Sequence, residues 1–198
     1  MSTQMRRYEL KARAETQLQT RNRIAQAAAD LHEEKGVAHT TVAEIARRAG
    51  VTRLTVYNHF ADLSELLPAC AAHYETLHPM PELGDALARE DPIERLRATL
   101  VQLYGWYRET EPMYGKLFSD RASVPELDRF LAQSIDRMHS ELADDLAAAF
   151  AARGPRAANL RALIRLALDF WTWRRLDGDA LDDGAAANLM AAAVASAS

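Results

Sequence analysis

The stretch TVAEIARRAGVTRLTVYNHF, from Thr41 to Phe60, constrains the fold more tightly than any other part of the chain. Thr41 with Glu44 three residues later is a capping box, in which each side chain takes up a backbone N–H of a helix's first turn. Val42, Ile45, Ala46 and Ala49 then share one helical face. Gly50 supplies the turn, and Thr52 caps a second helix of about two turns. Two short helices joined this tightly form a helix-turn-helix unit. The second helix carries Arg53, Thr55, Tyr57, Asn58 and His59 in quick succession. Such groups are costly in a core unless each finds a hydrogen bond. Ala46, Ala49, Val51 and Val56 are the residues suited to pack beneath, which leaves Arg53, Thr55, Tyr57 and Asn58 to point outward.

The rest of the chain predicts helices too. Alanine is abundant, Gly and Pro number only 8 and 7 in 198 residues, and no alternating stretch signals a strand. The expected class is all-α. A first helix is predicted from about Thr20 to Lys35, with Ile24, Ala27, Ala28 and Leu31 inward and Gly36 as its stop. Asp62 and Glu65 box a fourth helix with a stripe of Leu63, Leu66, Leu67, Cys70, Tyr74 and Leu77, ended by Pro79 and Pro81. Asp91, Pro92 and Glu94 open a helix expected to reach about Thr110. Residues 111–120 read as a short helix or turn, 124–153 as one long helix, and 155–176 and 182–196 as two more. Residues 1–18, with Arg6, Arg7, Lys11 and Arg13 but no apolar face, read as a flexible basic arm. The domains expected are this arm, a DNA-binding domain over 19–62 with its motif at about 40–59, and a helical body over 63–198.

Charge divides the chain. Residues 1–60 hold 10 Lys/Arg against 6 Asp/Glu, while 61–198 hold 14 against 22. A basic end on an acidic body suits contact with a polyanion. A lone cysteine, Cys70, rules out an internal disulfide framework and fits a reducing cytoplasm. The polar N-terminus is no signal peptide. No apolar run approaches the roughly 18 residues that span a bilayer, so no membrane partner is expected.

Gly36, Thr40, Thr41, Val42, Ile45, Ala46, Ala49, Gly50, Val51, Thr52, Thr55, Val56, Tyr57, His59, Phe60 and Leu66 together resemble the N-terminal domain of the TetR family of transcriptional regulators, over residues 20–67. The resemblance implies a three-helix DNA-binding domain and a C-terminal helical domain for ligand binding and dimerisation. The second helix of the motif would then enter the major groove, about 12 Å wide. Arg53 is the first candidate for a base contact, since a guanidinium engages guanine O6 and N7 together. Leu54, Thr55 and Asn58 follow, Leu54 facing a thymine methyl. Thr40, Thr41, Arg47, Thr52, Tyr57 and His59 complete the DNA-binding set, mainly toward phosphates, which fix register without reading sequence. Two positions depart from the family pattern. Leu54 stands where a small residue or Pro is usual, and Leu63 where a phosphate-touching Lys is usual.

In the body, Leu160, Leu163, Ile164, Ala167, Leu168 and Trp171, with Leu189, Met190 and Val194, are the expected homodimer interface, pairing as a four-helix bundle. The resemblance implies a small-molecule effector in this body. Tyr74, Tyr104, Trp106, Tyr107, Met113, Tyr114, Phe118, Met138, Phe170 and Trp173 are the candidate lining, which favours a largely apolar ligand. No cofactor or metal is expected. His73 and His78 sit five apart, about 140° round a helix, and Cys70 with His73 makes only two ligands. No phosphate-cradling loop or nucleophile elbow is present, so an enzyme is not expected. The expected function is a sequence-specific regulator, a repressor released by its effector, on near-palindromic duplex. The alternative is a helical small-molecule-binding protein with lost or weakened operator binding, which Leu54 and Leu63 keep open.

Overall fold

A computed structural model describes residues 2–197. Its described residues form eleven α-helices: α1 (Ser2–Lys35), α2 (Val42–Ala49), α3 (Arg53–His59), α4 (Leu63–Leu77), α5 (Gly84–Leu87), α6 (Pro92–Asp120), α7 (Pro125–Gln133), α8 (Ile135–Ala148), α9 (Pro155–Leu168), α10 (Phe170–Gly178) and α11 (Asp183–Ala195). Contacts divide the chain into two units. One holds residues up to Pro79 with Pro112–Phe130, and the other holds Met80–Glu111 with residues from Leu131 onward. No described helix is long and apolar enough to cross a membrane.

In the first unit, α1 reaches back to Ser2, so the backbone of 2–18 is helical where an arm was expected. No Gly or Pro interrupts the first 35 residues, and extending a helix already nucleated costs little per residue. The buried stretch from Ile24 to Leu31 provides that nucleus. The earlier turns need no apolar face, and Tyr8, Leu10 and Leu18 there stand exposed. Gly36, at φ 88°, ends the helix.

The core of this unit joins Ile24, Ala28 and Leu31 of α1 to Ile45 and Ala49 of α2, Val56 of α3, Phe60, and Leu66 and Cys70 of α4. So α4 packs with the helix-turn-helix core, and a boundary drawn after residue 62 cuts through a packed unit. Burial pushes the Cys70 thiol up to about 12, which leaves it without thiolate at neutral pH.

Further along the chain, three helix boundaries differ from expectation. Helix α6 does not stop near Thr110 but passes Pro112 to Asp120, one lost N–H bond being tolerable when neighbouring turns are buried. The helix expected over 124–153 breaks at Ser134, whose φ −110° and ψ −85° lie outside the helical well. The helix expected over 155–176 breaks at Asp169, which turns extended and caps α10 by accepting the Thr172 N–H at 2.9 Å. That break frees carbonyls at the end of α9. Tyr104 Oη donates to the Ala167 carbonyl at 2.7 Å and Tyr107 Oη to the Leu168 carbonyl at 2.6 Å. Two hydroxyls on α6 therefore satisfy buried acceptors that a continuous helix would have used itself. Because Tyr107 gives its proton to Leu168, the neighbouring His139 Nε2, 2.9 Å away, must be the donor to Tyr107.

Candidate nucleic-acid interface

The turn between α2 and α3 is built from local chemistry. Thr41 Oγ1 accepts the Glu44 N–H at 3.3 Å, while Glu44 Oε2 accepts the Thr41 N–H at 3.0 Å. Lys35 Nζ lies 2.6 Å from Glu44 Oε1. The Lys35 ammonium first, then Thr41, hold the Glu44 carboxyl at about 2. Gly50, at φ 65°, closes α2: its N–H reaches the Arg47 carbonyl and the Val51 N–H reaches the Ala46 carbonyl at 2.9 Å. This pairing needs a left-handed residue that glycine adopts without strain. Thr52 Oγ1 then accepts the Thr55 N–H at 3.1 Å and starts α3.

Helix α3 buries Val56, with Phe60 just past its end, and turns the opposite side outward. Arg53, Leu54, Tyr57 and Asn58, at i, i+1, i+4 and i+5, share that exposed face. Leu54 is 69% exposed and Tyr57 54%. Large apolar and aromatic groups left in water side by side mark a contact surface. Among the described residues Arg53 and Arg47 make no ion pair, whereas Arg48 is locked by two bonds of 2.6 and 2.8 Å to Glu34. Thr55 and His59 are half-buried at the edge of the face. Four threonine hydroxyls are engaged within the chain. Thr40 Oγ1 donates to the Gly36 carbonyl, Thr41 Oγ1 to Glu44 Oε2, and Thr52 Oγ1 pairs with Thr55 Oγ1.

Two contacts lay outside the sequence reading. Arg21 on α1 donates to the His59 carbonyl at the end of α3. Its guanidinium also lies 3.9 Å over the Phe60 ring. Asp120 Oδ2 accepts the Ala38 N–H at 3.0 Å and so steadies the α1–α2 turn. Neither carries a local signal, because the partners are 38 and 82 positions apart.

The candidate pocket residues fall into two groups. Tyr104, Tyr107, Phe170 and Trp173 are buried in the second unit, with Tyr107 5.4 Å from Phe170 and 5.7 Å from Trp173. Trp106 is buried beside Tyr107 at 5.7 Å, and Met138 is half-buried. In the first unit, Tyr74 faces Tyr114 at 6.4 Å and donates to Glu33 at 3.3 Å, Tyr114 meets Phe118 at 5.9 Å, and Met113 is buried.

The proposed dimer stripe is corrected in part. Leu160, Ile164, Ala167, Leu168 and Val194 are fully buried within one chain, and Met190 nearly so. Packing of α9 against α8 and α11 already covers them, so they supply core and not contact surface. Leu163 is half-buried. The apolar side chains left in water are Trp171, Leu189 and, unforeseen, Leu166, each about half exposed.

The fold and this site define a class: an all-α protein with an N-terminal helix-turn-helix unit and a C-terminal helical body. The family model of bacterial regulatory proteins of the tetR family matches residues 24–70. The transcriptional regulator TtgR of Pseudomonas putida is 36% identical over 43% of this chain and 41% of its own length. That match therefore spans well under half of the relative. The regulator BetI of Paraburkholderia xenovorans is 29% identical over 78% of this chain and 80% of its own. Among solved structures, NalD of Pseudomonas aeruginosa, described as the secondary repressor of the MexAB-OprM multidrug efflux pump, superposes with TM-score 0.59 at 25% identity, covering 92% of this chain and 96% of its own. Residues 24–70 thus carry the match to the tetR family of bacterial regulatory proteins, and the matched relatives are transcriptional regulators.

Proposed function

We propose that the chain is a sequence-specific DNA-binding transcriptional regulator, a repressor that a small molecule releases from its operator. The observation that carries this reading is the exposed face of α3, where Arg53, Leu54, Tyr57 and Asn58 stand together in water. Arg53 reads a guanine edge and Leu54 a thymine methyl. Arg47 and Tyr57, with the half-buried His59, grip phosphates and fix the register. Thr41 and Thr52 present their cap positions at helix N-termini, where backbone N–H groups favour anions. The repressor role draws support from NalD, described as a repressor.

One such unit reads few base pairs, so the protein acts as a homodimer on a near-palindrome, with half-sites about 34–36 Å apart. The faces suited to pairing are the exposed sides of α9 and α11. Residues 184–197 bear no charge and are mostly alanine, so two copies of α11 can approach closely. Leu166 and Leu189 add apolar contact. A largely apolar effector in the helical body would release DNA by binding one of two conformations better than the other.

The experiment is in-vitro selection of bound duplexes, followed by titration of the best sequence. Arg53→Ala should weaken binding by about 1–3 kcal/mol and relax preference at one base pair. Arg47→Ala should weaken all sequences alike and flatten the salt dependence by about one phosphate. Failure to retain any duplex at low salt would overturn the reading. It would favour a small-molecule-binding protein that has lost its operator. Leu63 motivates that second reading, because it packs half-buried against the core of the first unit and leaves no cation at that position.

A further inference from the structure

A cavity of about 300 Å³ lies inside the first unit, under α3. Its walls are mostly apolar: Val42 and Ile45 of α2, Val56 of α3, Phe60, and Leu63 and Leu66 of α4. One wall is different. His32 of α1 lines the cavity, is 98% buried, and its Nε2 has no hydrogen-bond partner. A buried polar atom without a partner is rare and calls for an explanation. A ligand atom is one.

We propose that this cavity binds a small neutral aromatic molecule bearing a hydroxyl, of which phenol is the simplest, with the hydroxyl on His32 Nε2 and the ring among Val42, Val56 and Phe60. The volume sits at the low end of the ~300–1,000 Å³ typical of small-ligand sites, which suits one or two rings and not a long chain. A hydroxyl both donates and accepts, so it satisfies the imidazole nitrogen in either tautomer. The charges around the cavity exclude an anion. Asp62 stands at its mouth, and Asp120 is the acidic group acting on His32. Burial holds His32 neutral, so a cation gains no counter-charge from it and an anion no ion pair.

This site is separate from the effector pocket expected in the helical body. Its consequence for DNA rests on the function proposed above. Val56 and Tyr57 of α3 line the cavity, and Tyr57 also belongs to the exposed face that carries Arg53 and Asn58. An occupant that wedges Val56 and Phe60 outward therefore displaces the exposed face.

The test needs no DNA. Full-length protein is labelled uniformly with nitrogen-15 and carbon-13, and phenol is titrated to millimolar concentration while the His32 ring nitrogens and, in every variant, the Val56 and Phe60 signals are followed by NMR. Saturable movement of His32 Nε2 is expected, with toluene binding roughly tenfold more weakly and benzoate not at all. His32→Phe fills the cavity with a ring lacking the nitrogen and should abolish the phenol response. Val42→Phe fills the same space from α2 and guards against a folding defect in the first variant. No movement of His32 in the wild type would overturn the proposal. So would equal binding by both variants, or responses confined to Tyr104 and Trp173. A second titration on the selected duplex separates the readings. Phenol binding without any duplex retention sinks the regulator and leaves this site standing, and duplex retention without phenol binding does the reverse.

Discussion

Arg21→Ala isolates the contact that holds the end of α3. In the structure the guanidinium makes one hydrogen bond to the His59 carbonyl and covers the Phe60 ring at 3.9 Å. A hydrogen bond from a charged donor contributes about 1.5–3 kcal/mol, and a cation over an aromatic face about 0.5–2 kcal/mol. Arg21 is half-buried, so water replaces part of both, and the net loss should be about 2 kcal/mol. The loss falls on one short helix of seven residues, Arg53–His59, whose isolated stability is negligible. It should therefore appear as local opening. The Phe60 N–H, bonded to the Val56 carbonyl at 2.9 Å, reports that opening. Native-state hydrogen exchange at Phe60 should accelerate about thirtyfold, the factor that corresponds to roughly 2 kcal/mol. Amides of α6 near Tyr104, in the other unit, should not change. Exchange at Phe60 within about threefold of wild type would refute the claim that Arg21 secures α3.

Tyr107→Phe should destabilise the second unit by about 1–3 kcal/mol, because the Leu168 carbonyl and His139 Nε2 both lose their buried partner. A urea titration followed by fluorescence of the neighbouring Trp106 and Trp173 checks it. Acid should weaken the first unit early. Burial lowers His32 to about 4 from 6.5, so the unfolded chain takes the proton first. The stabilisation is complete above pH 6.5 and is lost as pH falls toward 4, amounting to about 2 kcal/mol at pH 5. His32→Phe should flatten exchange-derived stability at Phe60 between pH 7 and 5. Glu44, held at about 2, adds its own loss only below the usual carboxylate range near 4.5. Leu189→Glu places a charge on the uncharged exposed face of α11 and should shift the mass measured by sedimentation toward monomer at micromolar protein.

Much of the first unit was legible before any coordinates. The Thr41 and Thr52 caps, the Gly36 and Gly50 stops and the outward set of Arg53, Tyr57 and Asn58 all follow from residues within a turn or two of one another. Their geometry is a matter of one hydroxyl, one missing Cβ or one 100° step, so the local order of side chains is enough. What depends on distant partners was not legible. Periodicity marked Leu160, Ile164 and Val194 as an apolar stripe but could not say that the same chain covers it. Only the packed helices made that stripe core and left Leu166, Trp171 and Leu189 in water. The break at Asp169 needed Tyr104 and Tyr107, more than 60 positions away, to satisfy the freed carbonyls. Arg21 likewise found His59 and Phe60 through the fold. The sequence by itself determined where helices start, stop and turn, because caps and glycines act on their own neighbours. The tertiary structure alone decided which faces are buried and which polar groups are satisfied, because burial belongs to whatever the chain brings alongside.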